Sequence, residues 1–154
     1  MFRVNRQTDY AIRMLLSLAK RGTGIRASTS EIQREMVIPH SFAQCVIANL
    51  ARGSFIHTFP GRDGGVSLAR PAREINLRQL LEHFENHLFA TDCQNFSDDC
   101  PFQRDCPICT QWDRLKLVVS QELEQITVED LAKNSAAKQT PYIHQSTQRL
   151  LPLS

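Results

Sequence analysis

The sequence contains no apolar stretch that approaches the roughly 18 residues a membrane-spanning helix needs. Its first residues, MFRVNRQTDYAIRM, lack the long apolar segment and the small-residue cleavage site of a signal peptide. No phosphate-binding loop, nucleotide fingerprint or recognisable nucleophile motif occurs, and no internal repeat is evident. We therefore expect a cytoplasmic protein that has no membrane partner and is not an enzyme.

Charge is unevenly distributed along the 154 residues, although the net charge is only +2. Residues 1–73 contain 11 Lys and Arg against 4 Asp and Glu, whereas residues 74–154 contain 7 against 12. A basic half is what contact with a phosphate backbone requires. Double-stranded DNA is therefore a candidate partner for the N-terminal half.

The N-terminal half has the pattern of three helices. An apolar stripe of helical period predicts the first helix over residues 6–21. Ser28 followed by Glu31 fits a capping box, which predicts that a second, short helix begins there. Pro39 cannot continue that helix, so a tight turn should precede a third helix over residues 40–52. Two short helices joined by a turn of about three or four residues form a helix-turn-helix.

Residues 55–70, FIHTFPGRDGGVSLAR, predict a β-hairpin. Apolar residues alternate on both sides of a turn dense in Gly, Pro and Asp, and Arg62 lies at its tip. Three helices followed by a hairpin are the element order of a winged helix. The fold class we expect is mostly α, an α+β protein with a winged helix-turn-helix DNA-binding region over residues 1–75.

The C-terminal half predicts two further main helices on either side of a loop. Asn76 caps a helix that should continue to about His87, and a longer helix should occupy residues 111–126. The apolar face of the longer helix is broad, and few other residues of the same chain remain to cover it. Burial against a second chain would resolve this, so we expect a homodimer with this helix at its interface.

The end of the chain completes the expected division into regions. Thr127 with Asp130 should cap one more helical turn, and residues 134–154 show no sustained period, which indicates a loose tail. The second region, residues 76–133, would then contain a helix, a cysteine-rich loop and the dimerisation helix.

Four of the five cysteines lie in residues 93–109, CQNFSDDCPFQRDCPIC, which we call the cysteine segment. Its composition is that of a loop, and ligand bonds to a metal or cluster would offset the entropy lost on ordering it. Four thiolates suit an iron–sulfur cluster or tetrahedral zinc. Cys106 and Cys109 are also close enough in sequence for thiol–disulfide exchange.

Several stretches together resemble the winged-helix iron–sulfur transcriptional regulators of the IscR, NsrR and RirA type. They are TDYAIRMLLSLA at 8–19, PHSFAQCVIANL at 39–50, GRDGGVSLARP at 61–71, the cysteine segment, and ITVEDLAK at 126–133. The resemblance implies a dimeric bacterial regulator whose operator affinity is controlled by a 2Fe–2S or 4Fe–4S cluster. Such regulators sense redox state, iron, nitric oxide or cluster supply. The alternative is a zinc- or thiol/disulfide-dependent winged-helix regulator without a cluster.

The resemblance also implies a set of metal ligands. The three core ligands would be Cys93, Cys100 and Cys106. Cys109 stands where IscR-type proteins supply a fourth ligand, whereas Asp9 of the partner subunit would be the fourth ligand by the NsrR pattern. We favour Cys109 because a thiolate is the softer ligand, and His87 is a remote third choice.

Polar and basic residues in the first region are the candidates for DNA contact. They are Ser28, His40, Ser41, Gln44, Asn49, Arg52 and Arg62. Ser41 and Gln44 are three residues apart and share a helix face, and glutamine can make a bidentate contact to adenine. Arg62 suits a narrow minor groove, while Arg52 or Arg26 would meet phosphates. Cys45 is expected to face the core as a small apolar residue.

Overall fold

The computed structural model of the chain describes residues 4–85 and 107–134. Helices within these ranges are α1 (Arg6–Arg21), α2 (Thr29–Met36), α3 (His40–Arg52), α4 (Leu77–Phe84), α5 (Pro107–Gln125) and α6 (Val128–Asn134). The strands are β1 (Ile56–Phe59) and β2 (Gly65–Leu68), and a short 3-10 helix covers Ala72–Glu74. This order confirms the predicted fold class, a mostly α winged helix-turn-helix.

Helix α1 is the centre of the hydrophobic core. Ala11, Met14, Leu15 and Leu18 recur at helical spacing, and all four side chains are fully buried. Helices α2, α3, α4 and α6 all pack against α1. Burial of a side chain such as Met or Leu contributes about 1.5–3 kcal/mol, so this stripe holds the surrounding helices in place.

The turn between α2 and α3 has the helix-turn-helix geometry that the sequence predicts. Val37 ends α2 in the left-handed conformation with φ 53°, and Pro39 is the N-cap of α3. The predicted capping box is wrong in its contacts, because the Ser28 side chain makes no capping hydrogen bond. Glu31 instead pairs with Arg21 of α1 at 3.1 Å, and that contact takes its carboxylate away from the helix start.

The predicted hairpin is confirmed as an antiparallel pair in which Ile56 faces Leu68 and Phe59 faces Gly65. A hydrogen bond from Gly64 N to Gly61 O closes the turn and places Arg62 at its tip. The start of β2 also lies close to the chain before α2. A Cβ at Gly65 would be 2.3 Å from the carbonyl oxygen of Ala27, so only glycine fits there.

Two predicted helix boundaries are wrong. Helix α4 ends at Phe84 rather than near His87, because Glu85 is extended, and residues 86–106 lie outside the described ranges. Helix α5 begins at Pro107 rather than at residue 111. Proline is favoured in the first helical turn because its missing N–H has no helical partner to lose there. The earlier start makes Cys109 a helical residue.

The predicted cap of the last helix is confirmed by reciprocal hydrogen bonds. Asp130 N donates to Thr127 Oγ1 at 3.1 Å, and Thr127 N donates to Asp130 Oδ2 at 3.1 Å. The Thr127 hydroxyl also donates to Asp130 Oδ2, and this bond, followed by the one from Thr127 N, lowers the pKa of Asp130. Residues 135–154, which include nearly all of the predicted tail, lie outside the described ranges, and the division of the chain into three regions stays a prediction.

A polar cluster joins α1 to α2. The buried Ser17 donates from Oγ to Glu35 Oε2 at 2.9 Å, and Arg21 Nη2 lies 2.8 Å from the same carboxylate. The hydrogen bond from Arg21 lowers the pKa of Glu35, against a smaller opposing effect of burial. The cluster therefore favours the ionised carboxylate in the folded chain.

Replacing Glu35 with glutamine should lower stability at neutral pH and not at acidic pH. A folded pKa below the unfolded value stabilises the chain above the unfolded pKa, and that stability is lost as pH falls through the folded pKa. We expect a loss of about 1 kcal/mol at most at pH 7, because both partners are partly exposed, and a vanishing difference well below about pH 4. Urea unfolding at pH 7 and pH 3 measures both, with Glu74→Gln as an exposed control. Equal stabilities of Glu35→Gln and wild type at pH 7 would contradict the interpretation.

Candidate nucleic-acid interface

Helix α3 separates a buried face from an exposed one. Ala43, Val46 and Leu50 are fully buried in the core. Exposed residues on the remaining surface are His40, Ser41, Gln44, Cys45, Ala48 and Arg52. Because α3 is the second helix of the helix-turn-helix, this exposed face is the surface available to a major groove. We call it the reading face.

Cys45 belongs to the reading face, so its predicted core-facing position is wrong. The core positions of α3 are Ala43, Val46 and Leu50, and Cys45 lies one helical turn after the exposed Ser41. Residues four apart share a face of a helix, which makes Cys45 exposed as well. The spacing of the three buried residues is the sequence signal that places Cys45 on the exposed side of α3.

The remaining predicted residues of α3 differ in how free their side chains are. Asn49 is half-buried and accepts a hydrogen bond from Arg52 Nη1 at 2.9 Å, while its Nδ2 lies 3.6 Å from the sulfur of Cys45. His40 Nδ1 lies 3.4 Å from Gln33 Oε1 of α2. Ser41 and Gln44 are both exposed on the reading face, as predicted. Asn49 therefore orients its neighbours more than it presents its own amide.

Two arginines mark the wing, the hairpin formed by β1 and β2. Arg62 is exposed at the hairpin tip. Arg26 stacks on the ring of Phe59 in β1, with Cζ 3.7 Å from the ring centroid. A cation held over an aromatic face keeps its charge and gains a fixed position. Ser28 is exposed at the start of α2, two residues after Arg26 in the sequence.

Only part of the predicted ligand set falls within the described residues. Cys93, Cys100, Cys106 and His87 lie outside the described ranges. Cys109 is half-buried in the first turn of α5. Asp9 is in the first turn of α1, and its carboxylate lies 2.7 Å from Arg13 Nη2. Across residues 4–85 and 107–134, no three His, Cys, Asp or Glu side chains are grouped to hold a metal ion.

The fold and the reading face define a class of protein, the winged-helix DNA-binding transcriptional regulators. A model of the Rrf2 family, described as an iron-dependent transcriptional regulator, matches residues 4–134. Since this match covers most of the chain, the protein belongs to the Rrf2 family. Its relatives are regulators of transcription and not enzymes. No helix in the described ranges has the length and apolar character needed to cross a membrane.

The chain is also similar to individual proteins and solved structures over most of their length. NsrR, an HTH-type transcriptional regulator of Oceanobacillus iheyensis, is 29% identical over 132 residues, which cover 85% of this chain and 90% of that protein. Protein aau3 of Rhizobium meliloti is 30% identical over 132 residues, 85% of each chain. CymR, the global cysteine regulator of B. subtilis, superposes with a TM-score of 0.69 at 20% identity, covering 86% of this chain and 98% of that one. IscR of T. potens gives a TM-score of 0.69 at 20% identity, covering 91% and 94%.

Substitutions on α3 should separate base reading from phosphate contact. Gln44→Ala should reduce discrimination between cognate and altered duplexes by about 1–3 kcal/mol, the value of a bidentate base contact. Arg52→Ala should weaken binding to all duplexes alike. It should also reduce the slope of the logarithm of the binding constant against the logarithm of the salt concentration by about one. Fluorescence anisotropy at several salt concentrations measures both effects. Lys133→Ala, on α6, removes a positive charge outside the reading face as a control, and unchanged binding by both test variants would contradict the assignment of α3.

Proposed function

We propose that this Rrf2 regulator binds operator DNA with an affinity that depends on an iron–sulfur cluster held by the cysteine segment. The observation that carries the proposal is the position of Cys109. It lies at the start of α5, so the last cysteine of the segment is part of a long helix rather than of a separate loop. A ligand bond at Cys109 would therefore act directly on a helix of the fold. The family description as an iron-dependent regulator supports this cofactor class.

The DNA contacts of the proposal use two elements. The reading face of α3 would enter the major groove, with Ser41 and Gln44 towards base edges and Arg52 towards a phosphate. Arg62 at the tip of the wing would reach the adjacent minor groove, and Arg26 beside Phe59 would contact the backbone. His40, Asn49 and Ser28 would support these contacts from the ends of α2 and α3.

A homodimer is part of the proposal because α5 leaves a large apolar surface uncovered. Its exposed apolar residues are Ile108, Trp112, Leu115, Leu117 and Val118, each 48–61% exposed. Apart from Leu117, these residues recur every three or four positions and so share one side of the helix, and an exposed apolar surface of this kind indicates a protein–protein interface. A second copy of the same helix would cover it and would place two reading faces at half-sites about one DNA turn apart.

A charge introduced into this surface should dissociate the dimer. Leu115→Glu places a carboxylate among the exposed apolar residues, and we expect dimerisation to weaken at least about thirtyfold, as for an interface hot spot. Sedimentation equilibrium gives the dissociation constant. Ser30→Glu adds the same charge at an exposed position of α2, outside this surface, and should leave the constant unchanged. An unaltered dimer in Leu115→Glu would place the interface elsewhere.

The cysteine segment supplies the ligand set in the proposal. Cys93, Cys100 and Cys106 would be three ligands, with Cys109 as the fourth and Asp9 of the partner subunit as its alternative. Cys109 is favoured because a thiolate is the softer ligand, whereas Asp9 already has a cationic partner in Arg13. When bound, the cluster would supply reversible redox chemistry and reactivity towards small oxidants. The chain itself would hold the cluster, and the ligand bond at Cys109 would influence the position of α5.

Anaerobic purification with absorbance, iron and sulfide measurements tests the cofactor. We expect a coloured protein that contains iron and sulfide, loss of the cluster in Cys109→Ala, and retention in Asp9→Ala. Cys45→Ala is the matched control, because this cysteine is exposed on α3 and is not a proposed ligand.

Other outcomes of the same experiment identify the alternatives. Loss of the cluster in Asp9→Ala, with retention in Cys109→Ala, would make the aspartate the fourth ligand. A colourless protein with one zinc per chain would support a zinc site, since four thiolates also suit tetrahedral zinc. A protein with neither metal that gains a Cys106–Cys109 disulfide on oxidation would support a thiol switch.

A further inference from the structure

Glu85, the residue that follows α4, makes polar contacts with the start of α1, eight residues before the first cysteine of the cysteine segment. Glu85 Oε1 accepts hydrogen bonds from the backbone N–H of Asn5 at 2.9 Å and from Thr8 Oγ1 at 2.6 Å. Asn5 is the N-cap of α1, and Thr8 is fully buried. Hydrogen bonds to an ionised acceptor are stronger than those between neutral groups. Hydrogen bonds therefore connect the end of α4 to the start of α1.

The last turn of α4 also contacts α3. His83 Nε2 lies 2.8 Å from the carbonyl oxygen of Asn49, three residues before the end of α3. The His83 ring makes an edge contact with Phe55, with centroids 5.5 Å apart. A Cβ at Gly53 would lie 2.9 Å from His83 Nε2, so the end of α3 approaches this ring closely. One turn of α4 thus contacts both helices on which the reading face depends.

We propose that residues 83–85 are a coupling turn that transmits the state of the cysteine segment to α3. Glu85 acts on α1, against which α3 packs, and His83 acts on α3 directly. Cys93, the first proposed ligand, follows Glu85 by eight residues in the sequence. A displacement of the chain at this point must either move the α4 turn or break its hydrogen bonds. The inference rests on the proposed function, because it requires a DNA affinity that depends on the cluster.

Glu85 and His83 are positioning residues in this proposal, and coupling differs measurably from a purely structural role. A structural role would change the DNA affinities of the cluster-free and cluster-loaded protein by the same factor. A coupling role changes the ratio of the two affinities, which is the coupling itself. The ratio is therefore the quantity to measure, and not either affinity alone.

The test uses the full chain in both states and a DNA duplex that the wild-type protein selects from a random-sequence library. In Glu85→Ala, the ratio of the two dissociation constants should move towards one by about fivefold or more. Glu85→Gln keeps an oxygen acceptor at the same place and should retain most of the wild-type ratio. Glu82→Ala is the control. It removes a carboxylate of α4 whose only partner among the described residues is Arg78, and it should leave the ratio unchanged.

Hydrogen exchange at the start of α1 gives a second readout that does not depend on DNA. Loading the cluster should change the exchange of residues 5–9 in the wild type, and this change should be lost in Glu85→Ala. If Glu85→Ala does not fold, Thr8→Val removes one of the two bonds to Glu85 with little change in shape. Its ratio should shift in the same direction by a smaller factor.

The outcomes separate this inference from the function on which it rests. A wild-type ratio of one would overturn cluster control of DNA binding and the coupling turn with it. A wild-type ratio that differs from one and persists in Glu85→Ala and Thr8→Val would overturn the coupling turn alone. Loss of the ratio in Glu85→Ala with full retention in Glu82→Ala supports it.

Discussion

The buried stripe of α1 is the constraint on which the rest of the structure depends. Ala11, Met14, Leu15 and Leu18 are completely buried, and four other helices pack around them. Protein interiors are close-packed, so a helix in such a position cannot shift without moving its neighbours. The orientation of α3, and with it the direction of the reading face, is consequently fixed by α1. Contacts at the ends of α1 therefore also constrain α3, although the residues that make them lie far from α3 in sequence.

Two exposed surfaces follow from this arrangement, and they differ in chemistry. Helix α3 gives its apolar residues to the core, so its outer side is polar and ends in Arg52. Helix α5 has no fully buried residue and keeps most of its large apolar side chains exposed in the single chain. The first surface suits a hydrated, charged partner such as DNA, and the second suits a matching apolar surface. A regulator that reads paired half-sites needs both kinds of surface.

The sequence predicted those parts of the fold that depend on local patterns. The period of α1, the turn at Pro39 and the glycine-rich hairpin each follow from a few neighbouring residues, and the structure confirms them. Ser28 and Glu31 matched a local motif, but the contact between Glu31 and Arg21 of another helix prevailed. The bonds that Glu85 accepts from Asn5 and Thr8 join residues about 80 positions apart and have no local signature. Cys45 could have been placed correctly, because the spacing of Ala43, Val46 and Leu50 already assigns its side of the helix.

The identity of the fourth ligand decides which helix a bound cluster would act on first. Cys109 lies in the first turn of α5, whose exposed apolar surface sets the proposed dimer. Asp9 lies in the first turn of α1, next to Thr8 and therefore next to the contact with Glu85. Ligation by Cys109 would act on the spacing of the two reading faces, whereas ligation by Asp9 would act on the packing that orients each face. Both positions are helix N-termini, where the dipole favours an anionic ligand. The electrostatics therefore permit either ligand, and the different helices to which they belong give each a distinct mechanical consequence.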